Sequence, residues 1–492
     1  MQLRRLLFGT LIALVAAGLA YTFAHAHFFE GLFGAAEYRL VDWRMRGAAT
    51  DPPRDKSDVV LVLFDSSSVK DWPYLTPFPR PVLAELVNAV AATGARAIGL
   101  DVYLEHRARA IDAAMHMPGD SLLKAAIANA GNVVMAAPTY QDNGGRSFRP
   151  PDPYFTADAR AVGSADTPSP FEVFRDIELT VRTDKGLIPG FALALYAGAR
   201  GLDLDSLMQA TQQKGYLDIP GLPMRYARLP PPGVAVQTMP ILYVGPPSSP
   251  DREDGGFVAL PSGLVQATWD QPEPMRSIGV NALAGQLRGK VVMLGSGFHA
   301  EERYRTPFYD ATNDKGDIYG WMYGTEVVAT ALHDLLTGQM VVPLTHAQIA
   351  LLLLVMAGLI TLAVFWRGVT FGAVVGAAVV AAELVVAWFA FGTSHVHIPM
   401  VGPSIAGVFA FIGATSYTSI VEGKEKRVIR GAFSKYLSPV VVDELVADPS
   451  RLKLGGEKRE ISVLFSDLAG FTTLSETMDP AELLALLNRY LD

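Results

Sequence analysis

Four stretches of this chain stay apolar for a membrane's thickness, and a long region of shorter apolar bursts separates the first from the other three. Residues 6–24 (LLFGTLIALVAAGLAYTFA) carry no charge, and residues 347–366, 370–391 and 399–421 follow one another closely. A helix needs ~20 apolar residues to cross a ~30 Å hydrocarbon layer, so each stretch predicts a transmembrane helix. A helix buried in a soluble core would be shorter and would not recur three times in succession. Between them, residues 57–340 alternate strand-like and helix-like patterns and predict one α/β domain within a region running from 25 to 345. Residues 59–64 (VVLVLF) are a continuous apolar run ending at Asp65, and residues 81–93 have helical spacing with proline in the first turn and Gly94 as the stop. Residues 95–100 (ARAIGL) return to a strand ending at Asp101. Further strands are predicted at 132–137, 240–244 and 290–295, with a helix at 325–337 and proline-rich loops at 148–153 and 229–233. Apolar runs without alternation imply a sheet covered on both faces.

Charge sets the expected orientation. Arg4 and Arg5 precede the first span, Arg367 lies between the second and third, and Lys424, Lys426, Arg427 and Arg430 follow the fourth. The positive-inside rule puts all of these in the cytoplasm, so residues 25–345 fall outside and everything after 421 inside. Ala24-His25-Ala26 also has the form of a signal-peptidase site behind a positive and then apolar segment. Cleavage there would leave three spans rather than four and the same topology.

Composition narrows the class. The 492 residues are 50% hydrophobic and only 18% charged, against about a quarter charged in soluble domains. A net charge of -8 argues against nucleic acid as a partner, and with no cysteine there is no disulfide, Cys-ligated zinc or thiol nucleophile. Asp65 and Asp101 read either as paired carboxylates of an active site or, more commonly for such acids, as caps for neighbouring helices and loop amides. No GxSxG, HExxH or P-loop pattern accompanies them. His25 and His27 follow span one, His395 and His397 lie between spans three and four, and His346 opens span two. Such a belt reads either as a metal or proton sensor or as imidazoles seated among lipid headgroups.

The order Asp65, Trp72-Pro73, Arg80, 94–101 (GARAIGLD), 289–297 (GKVVMLGSG), Thr306-Pro307 and 324–338 (GTEVVATALHDLLTG) resembles the CHASE2 extracytoplasmic sensor domain. Residues 176–197 are similar to that family's "D…R…P…LALY" region, although its usual Asp-Gly before the Val-Arg is absent. The resemblance implies a role, sensing an external stimulus, and no particular ligand.

After the fourth span, residues 422–446 predict an amphipathic helix broken at Ser438-Pro439, with Val428, Phe433, Leu437, Val441 and Leu445 at three-to-five spacing. Within a linker of 422–458 this reads either as a signalling helix that pairs with a twin or as a plain connector. Residues 459–465 (REISVLF) then predict a strand, 466–472 a turn and Pro480 to Leu491 a helix with Leu483, Leu484, Leu487 and Tyr490 on one face. A carboxylate at a strand end before a turn of small residues suits a hard cation and a triphosphate.

The string FSDLAGFT, with LGGEKREISVLF before it and LSE…P…LL…LN.YL after it, closely resembles the opening of the class III adenylate/guanylate cyclase domain, an α+β fold here represented by 459–492. That resemblance implies Asp467 as one of two aspartates holding both catalytic metals, Mg²⁺ or Mn²⁺, two per active site, and Leu468 as a ligand through its carbonyl. Gly470, Phe471 and Thr472 would bind the phosphates of the substrate ATP. It further implies attack of the 3′-hydroxyl on the α-phosphorus with loss of pyrophosphate, and a homodimer whose sites draw on both protomers. Adenylate is favoured over guanylate by the association with CHASE2 alone. The implied setting is a bacterial inner membrane, in contact with lipid, with the sensor extracytoplasmic and the cyclase segment cytoplasmic.

The family's second metal aspartate, base-selecting residues and transition-state Asn and Arg all lie beyond the first motif. The chain as given, ending at Asp492, is therefore expected not to cyclise nucleotides by itself. The contrasting reading is a non-enzymatic membrane receptor or scaffold.

Overall fold

A computed structural model describes residues 2–25, 34–48, 54–72, 78–109, 111, 118–142, 145–165, 173–220, 222, 225–228, 236–298, 303–312, 318, 320–433, 460 and 462–491. The chain forms two compact units, 1–416 and 417–492.

In the first unit, α1 (Gln2–His25) contains the first apolar run and is followed by a shorter, charged helix α2 (Ala35–Ala48). Strand β1 (Val59–Phe64) opens the α/β domain, α3 (Arg80–Ala92) crosses to β2 (Ala97–Asp101), and α4 (Gly119–Ala130) leads to β3 (Val133–Ala137). The hairpin β4 (Thr139–Asp142) and β5 (Gly145–Phe148), the short helix α5 (Pro153–Thr156) and β6 (Ala161–Ser164) follow. Next come β7 (Asp176–Thr183), β8 (Gly186–Pro189), α6 (Phe191–Arg200), α7 (Leu204–Lys214) and the ribbon of β9 (Tyr216–Asp218) with β10 (Arg225–Arg228). Strand β11 (Val236–Pro240) joins β7 and β8 in a three-stranded antiparallel sheet. The domain continues through β12 (Val258–Pro261), α8 (Ser262–Trp269), α9 (Met275–Leu287), β13 (Val291–Ser296), the pair β14 (Arg303–Tyr304) and β15 (Met322–Tyr323), and α10 (Gly324–Thr337).

The main sheet is parallel, in the order β12-β1-β13-β2-β3-β6. Its apolar runs serve two cores. Val59, Leu61 and Leu63 face one side with α6, α10 and the three-stranded sheet, whereas Val60, Val62 and Phe64 face the other with α3, α4, α8 and α9. Alternate side chains of a strand point to opposite faces, so a run apolar at every position is what a doubly covered strand requires. Each large aliphatic side chain so buried contributes about 1.5–3 kcal/mol. Val41 and Met45 of α2 join the first of these cores, which makes α2 part of the domain.

Three further long helices follow: α11 (His346–Arg367), α12 (Val369–Ser394) and α13 (Val401–Phe433). With α1 they supply four segments long and apolar enough to cross a membrane: Leu6–Ala24, His346–Arg367, Val369–Ser394 and Val401–Val421. A capping box starts α11, in which Thr345 Oγ1 accepts from the Gln348 amide and Gln348 Oε1 accepts from the Thr345 amide. Small residues let α1 lie close to its neighbours: Ala13 and Ala16 meet Ala357 and Ala410, and Ala17 and Ala20 meet Leu353 and Ala406. The connectors on either side of α11 and α12 are tied by β16 (Val342–Pro343) and β17 (Val396–His397).

In the second unit, residues 462–468 have no regular structure, and α14 (Phe471–Thr477) and α15 (Pro480–Leu491) follow. The strand expected over 459–465 is therefore not formed among the described residues. A strand is held by ladder hydrogen bonds to a neighbour, and no described strand pairs with this segment. Leu464 and Phe465 are each 91% exposed as a result.

Other expectations shift by a few residues. The strand expected at 240–244 ends at Pro240, because the chain from Ile241 to Ser249 turns instead to bond with α10. Within the loop expected at 148–153, Phe148 closes β5 and Pro153 opens α5. The loop at 229–233 and the helix break at 438–439 lie outside the described residues, and the helix expected from 422 is the continuation of α13 as far as Phe433.

Gly190, between β8 and α6, passes so close to β7 that an added Cβ would lie 1.9 Å from the Glu178 carbonyl oxygen. Gly190→Ala is expected to cost about 1–3 kcal/mol and lower the thermal midpoint by several degrees. Gly285 in α9 has open space around it. Gly285→Ala should leave the midpoint unchanged or raise it slightly, and equal melting of the two variants would contradict the packing described.

Candidate functional site

The C-terminal ends of β1 and β13 form a topological switch point, since β1 leads to α3 on one face of the sheet and β13 leads to α10 on the other. Ligands of open parallel sheets usually bind at such crevices. The two acids singled out from the sequence flank this point, with β13 between their strands. Two interstrand spacings put their backbones on the order of 10 Å apart. Each has its own hydroxyl partners. Asp65 accepts from the Ser67 amide at 3.2 Å and from the hydroxyls of Ser67 and Ser68. Asp101 Oδ2 accepts from Thr325 Oγ1 at 2.6 Å. Burial pushes the Asp65 carboxyl up, but the serine hydrogen bonds outweigh it and hold the group below the usual range. Both acids thus tie strand ends to neighbouring turns and helices, and the paired-carboxylate reading is not supported.

The more unusual acids are on α10. Glu326 and Asp334 are fully buried, and His333 is 5% exposed. Glu326 Oε1 accepts from the Ser248 amide at 2.8 Å, and Asp334 Oδ2 accepts from the Leu242 amide at 2.8 Å. These carboxylates satisfy main-chain donors of the irregular segment 241–249, which has no ladder of its own. Their second oxygens, Glu326 Oε2 and Asp334 Oδ1, have no hydrogen bond among the described residues. His333 Nδ1 lies 3.3 Å from Ser57 Oγ, and its ring meets Phe257 edge-on. The sequence signal was present: two acids eight residues apart in an otherwise apolar helical run.

A second polar constellation joins the α/β domain to the helical bundle. Glu37 of α2 accepts from the amides of Met400 and Val401 at 2.9 and 2.8 Å, capping the start of α13. Arg44, 1% exposed, donates to the Ile398 carbonyl at 3.0 Å, to His397 Nδ1 at 3.1 Å and to Glu37 at 3.4 Å. Its guanidinium also lies over the Phe391 ring, 5.3 Å from the centroid. Burial, reinforced by Arg44, pushes the His397 imidazole down to about 4, so it stays neutral and accepts from the arginine. On the domain side Asp42 takes two 2.8 Å hydrogen bonds from Arg175, and Arg46 pairs with Asp310 and the Pro307 carbonyl.

The histidines singled out from the sequence are dispersed in role. His346 Nδ1 lies 3.2 Å from the Tyr21 hydroxyl, His395 closes α12 in a left-handed conformation, and His397 belongs to the Arg44 cluster. Among the described residues no three His, Cys, Asp or Glu side chains converge to hold a metal. His27 lies outside the described residues.

At the C-terminal turn, Asp467 is exposed and its Oδ1 accepts from the Leu468 amide at 2.9 Å. The Leu468 carbonyl accepts from the Phe471 amide at 3.2 Å, and Gly470, at φ 78°, takes the left-handed turn that starts α14. Asp467, Leu468, Gly470, Phe471 and Thr472 therefore share one tight turn, with Thr472 exposed in the first turn of α14. Carboxylate and carbonyl oxygens are the donors a hard divalent cation takes, so the turn fits Mg²⁺ in kind. Its Phe471 amide is engaged within the turn rather than open to a phosphate.

Comparison with known families matches the CHASE2 domain over residues 12–363. The chain belongs to the CHASE2 family. The matched region contains α2, the whole main sheet and α10, and ends within α11. Asp467 lies beyond it. Among curated proteins, uncharacterized protein Rv1320c of Mycobacterium tuberculosis is 36% identical over 75 residues, which are 15% of this chain and 13% of that protein. Uncharacterized protein Rv1318c of the same organism is 33% identical over 75 residues, 15% of this chain and 14% of the relative. The chain thus spans about an eighth of the length of these relatives. No solved structure matches.

Within the CHASE2 domain, burial raises the Glu326 carboxyl to about 8, against smaller opposing effects of the Ser248 hydrogen bonds and Arg252. Burial likewise raises Asp334 well above its ordinary range. An acid raised on folding stabilises the fold when protonated. Its contribution is complete below the ordinary 4.5 and is lost as pH rises through about 8. Glu326→Gln keeps an acceptor for the Ser248 amide without the ionisation. The parent's thermal midpoint is expected to fall more steeply than the variant's between about pH 5 and about pH 8, and parallel profiles over that window would contradict this.

Proposed function

We propose that this protein is a receptor-type class III nucleotide cyclase of the adenylate kind, in which the CHASE2 domain senses an external stimulus and governs ATP cyclisation in the cytoplasm. The observation that carries the reading is the turn Ser466–Thr472 with its string SDLAGFT. Every residue of this chain expected to touch metal or phosphate falls within these seven consecutive positions. In this reading Asp467 and the Leu468 carbonyl would hold divalent metal, which when bound would supply activation of the 3′-hydroxyl and charge neutralisation for the departing pyrophosphate. Gly470 provides the tight reversal, and Thr472 offers its exposed hydroxyl to the phosphates. The basic residues flanking the spans support an orientation with the CHASE2 domain outside and Asp467 inside, where nucleotide and Mg²⁺ are available. A homodimer in a bacterial inner membrane completes the assignment.

Asp467→Ala in the full-length protein is expected to lower cyclic-nucleotide output at least a hundredfold while membrane insertion stays intact. Product formation measured in membranes with ATP and Mg²⁺ checks this. Retained turnover at normal insertion would refute the metal role.

A further inference from the structure

Helix α2 has 14 residues, about 21 Å of helix, and its side chains grip two bodies. Val41 and Met45 are rooted in the CHASE2 core beside β1 and α6. Asp42, one of the four buried residues of α2, holds the Arg175 guanidinium with both carboxylate oxygens, and Tyr38, one turn earlier, lies 4.6 Å beneath the same guanidinium. Arg175 immediately precedes β7, and its carbonyl accepts from the Ile241 amide just beyond β11. The grip therefore reaches the three-stranded sheet and the segment bonded to the buried acids of α10.

Two other polar side chains of α2, Glu37 and Arg44, address the bundle, while Arg46 stays with the domain. Glu37 takes the two amides that open α13, and Arg44 takes the Ile398 carbonyl just before it. Trp43 packs against Trp388 of α12 with the rings tilted by 48° and 4.2 Å between centroids, and Gly47 lies so close to that ring that an added Cβ would approach it to 2.5 Å. The first amides of any helix lack intrahelical acceptors. Here their acceptor comes from a separate element that belongs to the sensor. Helix α13 then runs unbroken from Val401 to Phe433.

We propose that α2 is the coupling element of this receptor, in which the Asp42–Arg175 grip sets the position of α2 and that position decides whether Glu37 caps α13. A shift of about 1 Å is enough to take a hydrogen bond from good geometry to none. Loss of the cap frees the start of the helix that leads away from the bundle toward the segment bearing Asp467. The inference rests on the receptor reading only for what lies downstream of α13.

The chain has no cysteine, so single reporters can be placed without background. Met400, 2% exposed, is replaced by cysteine in the full chain in membranes, and its reaction with a small maleimide is timed with no nucleotide present. Failure of the cyclase reading would leave this measurement untouched. Met400→Cys alone should react slowly, and Glu37→Ala should speed it at least tenfold. Asp42→Asn touches neither Met400 nor Glu37, yet should speed it comparably, and exchanging the charges by Asp42→Arg with Arg175→Asp should restore protection. A core reporter, Leu123→Cys at a fully buried site, should stay unreactive throughout. An unchanged rate in Glu37→Ala overturns the cap, and an unchanged rate in Asp42→Asn overturns the coupling. A rise shared by Leu123→Cys that the charge exchange does not reverse reflects loss of the fold and also overturns the coupling.

Discussion

A helix that begins at a membrane boundary starts with amide groups that its own turns cannot satisfy and that water reaches poorly. The rest of this molecule is arranged around how α13 meets that constraint. Its first amides are taken by Glu37, which comes from α2, and α2 can be where it is only because Val41 and Met45 are embedded in the domain core. Arg44 makes the arrangement unambiguous. Its guanidinium is almost wholly buried and needs several acceptors at once, and Ile398, His397 and Glu37 supply them from both sides of the junction. A charge buried this completely is costly unless paired and hydrogen-bonded, so the contacts form or fail together.

The α/β domain contributes stiffness to this junction. Its sheet is parallel and covered on both faces, and its outlying antiparallel sheet carries Arg175 at the foot of β7. The buried carboxylates of Glu326 and Asp334 replace the ladder that segment 241–249 lacks, at the cost of two acids held in an apolar interior. Apolar packing would have been the more stable choice on general grounds. The polar solution gives the domain a proton-dependent contribution to its stability.

The sequence disclosed those features whose physical cause is local. Val59–Phe64 and Val291–Leu294 are apolar at every position because both faces are covered, and that pattern is readable without knowing the partners. The spans are legible for the same reason. Helix α2 was not, because what defines it is its partners at Arg175, Asp310 and Ile398–Val401, up to more than 350 residues away, and its own spacing mixes apolar and charged positions. The histidines of the belt are not one site: His395 and His397 differ by two positions but serve a helix end and an arginine, respectively. The strand expected at 459–465 had the right residue types, yet a strand is made by its neighbour. At Asp467 the reading of the residues and the geometry agree on a turn, while the proposed activity rests on the string itself.

The proposed receptor function requires the CHASE2 domain outside the membrane and Asp467 inside, an orientation the basic residues flanking the spans support. Single cysteines at two exposed positions, Ser121→Cys in the domain and Thr473→Cys beside the turn, test it in intact cells with a membrane-impermeant maleimide. The account expects Ser121→Cys to react at once and Thr473→Cys to react only after the cells are permeabilised. Labelling of both positions in intact cells, or of Thr473→Cys alone, would contradict it.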